Sequence, residues 1–300
     1  MHRQKIMKSM NIEIETKERL PKYKSRNNFG GGVNFVKFFL AFAISLTLGF
    51  IFFRINDSSE VYAGEKQGVG KEDMKYDEAS THKIFDDSIS LKSKPGLLHY
   101  LYCKRVDSVT DGLEVVMLHG AAFSTKDWKT SGILKGLCDP KKQSMISSVI
   151  ALDLPVSADG NMLTEVIFSL ISEGVLDNRP KILVTPSASG KSMVTLAESI
   201  VSSSDQKKEL ENLQSFMKMW VPVASPAVKS MSADAMKLFL DNEIPIHAIY
   251  GSLDAMGSTV SKKLETYAGA TVTEIYGHHP CYLDSPEEFM RLIRNDSKTF

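Results

Sequence analysis

Apolar positions fall into two kinds of run along this chain. One is single and long. Phe38–Phe53 reads FFLAFAISLTLGFIFF without a charge, and from Val33 the run covers about 21 residues broken only by Lys37. An α-helix needs about 20 such residues to cross the hydrocarbon core of a bilayer. Lys37, near its start, reaches the headgroups by extending its stem. The pattern predicts a transmembrane helix over 33–53. A buried core helix is the weaker reading, because a run apolar on every side is unlike the rest of the chain.

The other runs are short and recur from Ile84 onward. Ile84–Leu91 and Leu98–Val106 read as strands around the turn Lys94-Pro95-Gly96. Leu113–Leu118 is an apolar run interrupted only by Glu114, as expected for a strand buried on both faces, and Ser148–Leu154 and Lys181–Val184 read as a second and a third such strand. Met219–Ala224, Ile244–Tyr250 and Thr271–Tyr276 add three more. Amphipathic stretches lie between them, at Thr125–Leu137, Leu163–Ile171 and Gly190–Val201. The last helix opens Ser285-Pro286-Glu287-Glu288, a capping serine, proline at the first helical position and acids in the first turn. Alternation of strand and helix predicts an α/β fold, a mostly parallel sheet with helices on both faces.

Formal net charge is zero, so no global field points to nucleic acid. The neutrality hides an asymmetry. Residues 1–37 carry nine Lys or Arg against three acids, while Asp57 and Glu60 follow the apolar run. The positive-inside rule then places 1–37 in the cytosol as a basic tail. It makes 33–53 a signal-anchor and puts a polar stem, 54–83, and the domain 84–300 on the lumenal or extracellular side. The expectation is a single-pass type II protein whose bilayer contact is Val33–Phe53. Two sequons on that side, at Asn56 and Asn295, are candidate glycosylation sites. The competing reading is a signal peptide cleaved after Ala63, at Val61-Tyr62-Ala63. The three cysteines, Cys103, Cys138 and Cys281, form no C-x-x-C pair, which excludes a zinc ribbon and a disulfide-dense scaffold.

Reactive groups in such sheets gather at the carboxyl ends of strands. His119-Gly120-Ala121-Ala122 follows Leu113–Leu118, where backbone N–H groups of Ala121 or Ala122 face the crevice. Thr185-Pro186-Ser187-Ala188-Ser189-Gly190-Lys191-Ser192 follows Lys181–Val184 and opens a helix. A serine on a tight strand-to-helix turn is the nucleophile-elbow arrangement. Ser189 is the preferred nucleophile, with Ser187 and Gly190 the small residues about it, Gly190 the second oxyanion donor and Ser192 the alternative serine. The same stretch misses a P-loop, since Thr185 stands where its first glycine is required and Pro186 has no N–H to give a phosphate. No cofactor or metal is expected. Gly251-Ser252-Leu253-Asp254 follows Ile244–Tyr250, and Gly277-His278-His279-Pro280 follows Thr271–Tyr276. Serine, Asp254 and histidine thus appear in the chain order that the α/β-hydrolase arrangement requires.

The stretches LHGAAFSTKDW (118–128), ALDLP (151–155), TPSASG (185–190), VPVASP (221–226), YGSLDAMG (250–257) and GHHPCYLDSPEEF (277–289) resemble the α/β-hydrolase domain-containing protein 14 family. With its N-terminal anchor, the chain looks like that family's membrane-anchored A branch. The resemblance implies an α/β-hydrolase fold, with Ser189 as the nucleophile of P-S-x-S-G, Asp254 as the acid and His279, rather than His278, as the base. It also implies a small-ester hydrolase, with acyl transfer to coenzyme A as an alternative. Two positions depart from the family pattern: Lys191, and a shorter connection after Asp153-Leu154-Pro155. These support the other alternative, a non-enzymatic scaffold. The expected activity is cleavage of a small ester, thioester or amide acyl group through Ser189, His279 and Asp254, with minimal or no lid, on a small-molecule or acylated substrate.

Overall fold

The computed structural model describes residues 82–92, 96–105, 112–142 and 144–300. The expected basic tail, the membrane span 33–53, Asn56 and the stem up to residue 81 lie outside the described residues. Among the described residues, no helix is long and apolar enough to cross a membrane.

Eight strands form one sheet: β1 (His82–Ser90), β2 (Leu97–Arg105), β3 (Leu113–Met117), β4 (Ile146–Leu152), β5 (Lys181–Pro186), β6 (Met217–Val223), β7 (His247–Gly251) and β8 (Thr271–Ile275). Their spatial order is β1-β2-β4-β3-β5-β6-β7-β8. β2 runs antiparallel to both β1 and β4, and the other pairs are parallel. The helices, in chain order, are α1 (Thr125–Thr130), α2 (Ile133–Leu137), α3 (Gly160–Ser172), α4 (Gly190–Ser202), α5 (Gln206–Phe216), α6 (Ala233–Asp241), α7 (Ala255–Ala268), α8 (Cys281–Asp284) and α9 (Pro286–Ser297).

Side chains alternate across a strand. Val116, Ile150 and Leu183 therefore join one core with α3, α4, α6 and α7. Val115, Val149 and Ile182 join a second, under α1, α2 and α9. Burial on both faces explains the predominantly apolar runs of β3, β4 and β5. The stretch Thr125–Leu137 folds as two helices, because Gly132 turns the chain at φ 77° between α1 and α2. Ser285 stands before α9 without capping it. Its hydroxyl instead donates to Tyr276 O at 2.8 Å and ties the helix start to the end of β8. The candidate glycosylation residue Asn295 is exposed. It lies within α9, and the Ser297 hydroxyl is buried and donates to Arg294 O at 2.7 Å.

At the amino-terminal edge of the sheet Lys181 is fully buried, with Nζ 3.1 Å from the buried Glu114 carboxylate. Burial pulls the Lys181 pKa below its ordinary value, although Glu114 opposes the shift. Lys181 also donates to Asp177 O and Arg179 O. Removing one partner of such a pair leaves an uncompensated charge and costs about 3–5 kcal/mol. Glu114→Ala should therefore lower the thermal midpoint by on the order of 10 °C. The double replacement Glu114→Met with Lys181→Met should recover most of that loss in a thermal melt. A double variant as unstable as the single would show that the charge is not the cause.

Candidate active site

β5 ends at Pro186, and the chain reverses within one residue. Ser187 sits at φ 51°, the left-handed region that a side chain other than glycine enters at a cost of about 1–3 kcal/mol. A 3-10 turn, Ser187–Ser189, leads directly into α4. This is a strand-turn-helix elbow with Ser187 at its tip. Close approach behind it depends on Gly190, where an added Cβ would lie 1.9 Å from Ser225 Oγ.

The structure brings Ser187, not Ser189, to the histidine. His279 Nε2 lies 2.7 Å from Ser187 Oγ, and His279 Nδ1 lies 2.7 Å from Asp254 Oδ2. With Nδ1–H donating to the carboxylate, Nε2 is the ring's acceptor and the Ser187 hydroxyl donates to it. Ser189 faces the other way, buried, its hydroxyl donating to Pro186 O at 2.8 Å. Ser192 is buried and donates to Ser189 O. The physical reason is the turn itself. The 3-10 turn starts at Ser187, directly after the strand end at Pro186, so Ser187 projects outward while Ser189, two residues into the turn, folds back onto Pro186 O.

Asp254 follows β7 and is held twice. Its Oδ1 accepts the Gly257 N–H at 2.9 Å and caps α7, while Oδ2 faces His279. Its side chain is 8 % exposed against 38 % for His279, so the acid is sheltered and the base reaches solvent. His278 points elsewhere. Its backbone N–H and Nδ1 both meet Asp284 Oδ2, at 2.6 and 3.2 Å. Gly277, at φ 141°, lets the chain pass within reach of Asp284. Cys281, two residues past His279, is no rival nucleophile, since burial pushes its thiol up to about 12.

The His119–Ser124 loop closes the site from the β3 side. A Cβ added at Gly120 would lie 3.5 Å from Ser187 Cβ, so this loop rests on the elbow. Phe123 N–H donates to Gly120 O at 3.1 Å, which makes Ala121 and Ala122 the exposed corner of a turn. Gly190 cannot serve as the second oxyanion donor, because its N–H is spent inside the 3-10 turn on Ser187 O and Ala188 O. An elbow at Ser187 puts that duty on the following N–H, Ala188. The two sides of the site are fastened together by Trp128 of α1. Its Nε1 donates to Leu118 O at 2.9 Å, and its ring stacks on Tyr282 of α8 at 4.6 Å between centroids.

Lys191 and the connection after Pro155 are in contact. Lys191 Nζ donates to Ser157 O at 3.4 Å, so the lysine reaches across to the loop after Pro155. Between β6 and β7 there are only the 3-10 turn Pro226–Ser230 and α6, with no lid.

Behind the loop lies a polar cluster that sequence reasoning missed. His99 Nδ1 is 2.7 Å from Asp153 Oδ2 and His99 Nε2 is 2.7 Å from Asp86 Oδ1. Burial pulls the His99 pKa down, but the two carboxylates outweigh it and leave it above its ordinary 6.5. Burial likewise pushes Asp153 up, and the Thr125 N–H, His99 and the Thr125 hydroxyl outweigh it, leaving it below its ordinary 3.8. A raised histidine stabilises the fold below about pH 6.5 and loses that effect as pH rises through its folded value. A depressed aspartate stabilises above about pH 3.8 and loses that effect as pH falls through its folded value. His99→Gln should therefore lower the melting temperature most between about pH 4 and 6.5, and less above. A difference that stays constant from pH 5 to 9 would mean that His99 is held neutral.

The chain is 28% identical over 193 residues to protein ABHD14A of zebrafish (Danio rerio), a match covering 60% of this chain and 63% of that protein. It is 26% identical over 186 residues to "Putative protein-lysine deacylase ABHD14B" of Homo sapiens, covering 58% of this chain and 78% of that one. It thus spans less than two thirds of the zebrafish protein's length. No family model matches the chain. Among solved structures, a CIB-like hydrolase of Thermoplasma acidophilum aligns with a TM-score of 0.53 at 15% identity, over 73% of this chain and all of that one. An esterase of Pyrobaculum calidifontis aligns at 0.51 and 16% identity, over 73% and 86%. At such identities the likeness speaks for the fold alone, and the fold is that of the α/β-hydrolases.

Proposed function

We propose that this chain is a serine hydrolase that cleaves a small acyl group from an ester, thioester or amide, with Ser187 as nucleophile, His279 as general base and acid, and Asp254 as the group that orients the imidazole. One observation carries the reading: His279 lies 2.7 Å from Asp254 on one side and 2.7 Å from the strained Ser187 on the other. As Ser187 Oγ attacks the carbonyl carbon, its proton passes to His279 Nε2. The carbonyl oxygen, now negative, is met by the Ala188 N–H and an N–H of the Gly120–Phe123 turn. His279 returns the proton to the leaving group, and water, activated the same way, releases the acid and frees Ser187.

The strained φ of Ser187 weighs against a non-enzymatic scaffold, since a fold with no use for the elbow would shed that cost. The absence of a lid between β6 and β7 and the 38 % exposure of His279 favour a short acyl chain, with room beside it for a large carrier. An acyl-lysine amide on a protein, the linkage in the human relative's name, is a member of that class. The basic tail followed by the uncharged run Phe38–Phe53 supports a type II membrane anchor, with the domain on the lumenal or extracellular face. A series of p-nitrophenyl esters tests the substrate class. Turnover should be highest for acetate to butyrate and fall for chains of about eight carbons and beyond. A preference for long chains would contradict it.

A further inference from the structure

We infer that Asp153 is a positioning residue of this site: its carboxylate clamps the loop that carries the oxyanion-binding N–H groups and holds that loop against Ser187. This rests on the serine-hydrolase reading above. Asp153 follows β4 directly, and β4 lies parallel beside β3, with Met117 opposite Ala151. The residue after β4 therefore stands next to the loop after β3. Asp153 Oδ1 accepts the Thr125 N–H at 2.8 Å, and Oδ2 accepts the Thr125 hydroxyl at 3.1 Å. Both carboxylate oxygens thus grip one residue, the fully buried first residue of α1, where the loop ends.

The clamp is itself braced. Asp153 N–H donates to His99 O at 3.0 Å, and the His99 ring joins Asp153 to Asp86. Inside the loop, His119 Nε2 lies 3.8 Å from Asp153 Oδ1, and its Nδ1 meets Gly120 O at 2.9 Å. Gly120 is the residue that rests on Ser187. The path from Asp153 to the reacting atoms thus runs through Thr125 at one end of the loop and through His119 and Gly120 at the other. Asp153 acts on the donors through Thr125 and His119 rather than on the reacting atoms, so its effect belongs to the transition state, where a donor displaced by 1 Å loses most of its worth.

Steady-state hydrolysis of p-nitrophenyl acetate by the purified chain tests this. Removing an oxyanion donor lowers kcat by about 100- to 1,000-fold, so a displaced one in Asp153→Asn should lower it by about 10- to 100-fold with KM within about twofold. Thr125→Val keeps the backbone bond and should lose about three- to tenfold in kcat, and Thr125→Ser should restore wild-type kcat. Should Asp153→Asn fail to fold, the Thr125 pair carries the same comparison. An Asp153→Asn protein with wild-type kcat, or a Thr125→Val protein equal to wild type, overturns the inference while leaving the hydrolase reading intact. An inactive wild type overturns both.

Discussion

Replacing Ser187 by alanine should lower kcat for a short p-nitrophenyl ester by about 10,000-fold or more, whereas Ser189→Ala should stay within a few-fold of wild type. The contrast follows from where the two hydroxyls point. Ser187 Oγ is the oxygen 2.7 Å from His279, at the strained tip of the elbow. Ser189 Oγ is buried behind it and bound to Pro186 O. Losing the first removes the atom that attacks. Losing the second removes one buried hydrogen bond, worth about 1 kcal/mol of stability, and shifts the melting temperature by a few degrees. The two serines are two positions apart in a segment where either satisfies a loose motif. Kinetics of the two single variants on one substrate therefore discriminate sharply. An active Ser187→Ala protein with an inactive Ser189→Ala protein would reverse the assignment.

Asp254→Asn should lower kcat by about 10,000-fold with little change in KM or in stability. The asparagine keeps an oxygen for the Gly257 N–H, so α7 remains capped. What it loses is the acceptor facing His279 Nδ1. An amide NH₂ there favours the tautomer with the proton on Nε2, which can no longer accept from Ser187. The imidazolium formed during attack also loses its counter-charge. The pH dependence of kcat in the surviving activity, and an unchanged thermal midpoint, separate this from unfolding. A tenfold loss or less would reduce Asp254 to the helix cap it also is.

Much of the fold is legible because burial on both faces of β3, β4 and β5 leaves predominantly apolar runs, and because turns and helix starts punctuate the chain. The juxtaposition of Asp254 and His279 is legible for a related reason. Each follows its strand by a few residues, and the sheet order leaves it nowhere else to go. The serine that the structure sets beside His279 is Ser187, two positions before the one the sequence pattern favours. The elbow pattern has small residues two before and two after its tip. Centred on Ser189 it puts Ser187 and Lys191 there; centred on Ser187 it puts Thr185 and Ser189 there. Lys191 was the warning sign, since its bulk does not fit at the strand–helix contact, and its side chain in fact leaves for Ser157 O. Centring on Ser189 also selects Gly190 as an oxyanion donor, whereas the structure bonds its N–H to Ser187 O and Ala188 O. The Asp153 clamp was not legible, because Asp86, His99, Thr125 and Asp153 come together only when β1, β2 and β4 pair and β4 lies beside β3.

The most direct test is reaction of the purified chain with a fluorophosphonate, followed by mass-spectrometric mapping of the modified residue. The account predicts a single phosphonylated serine, Ser187, with labelling lost in His279→Ala. Modification of Ser189, or a folded protein that takes up no probe, would contradict it.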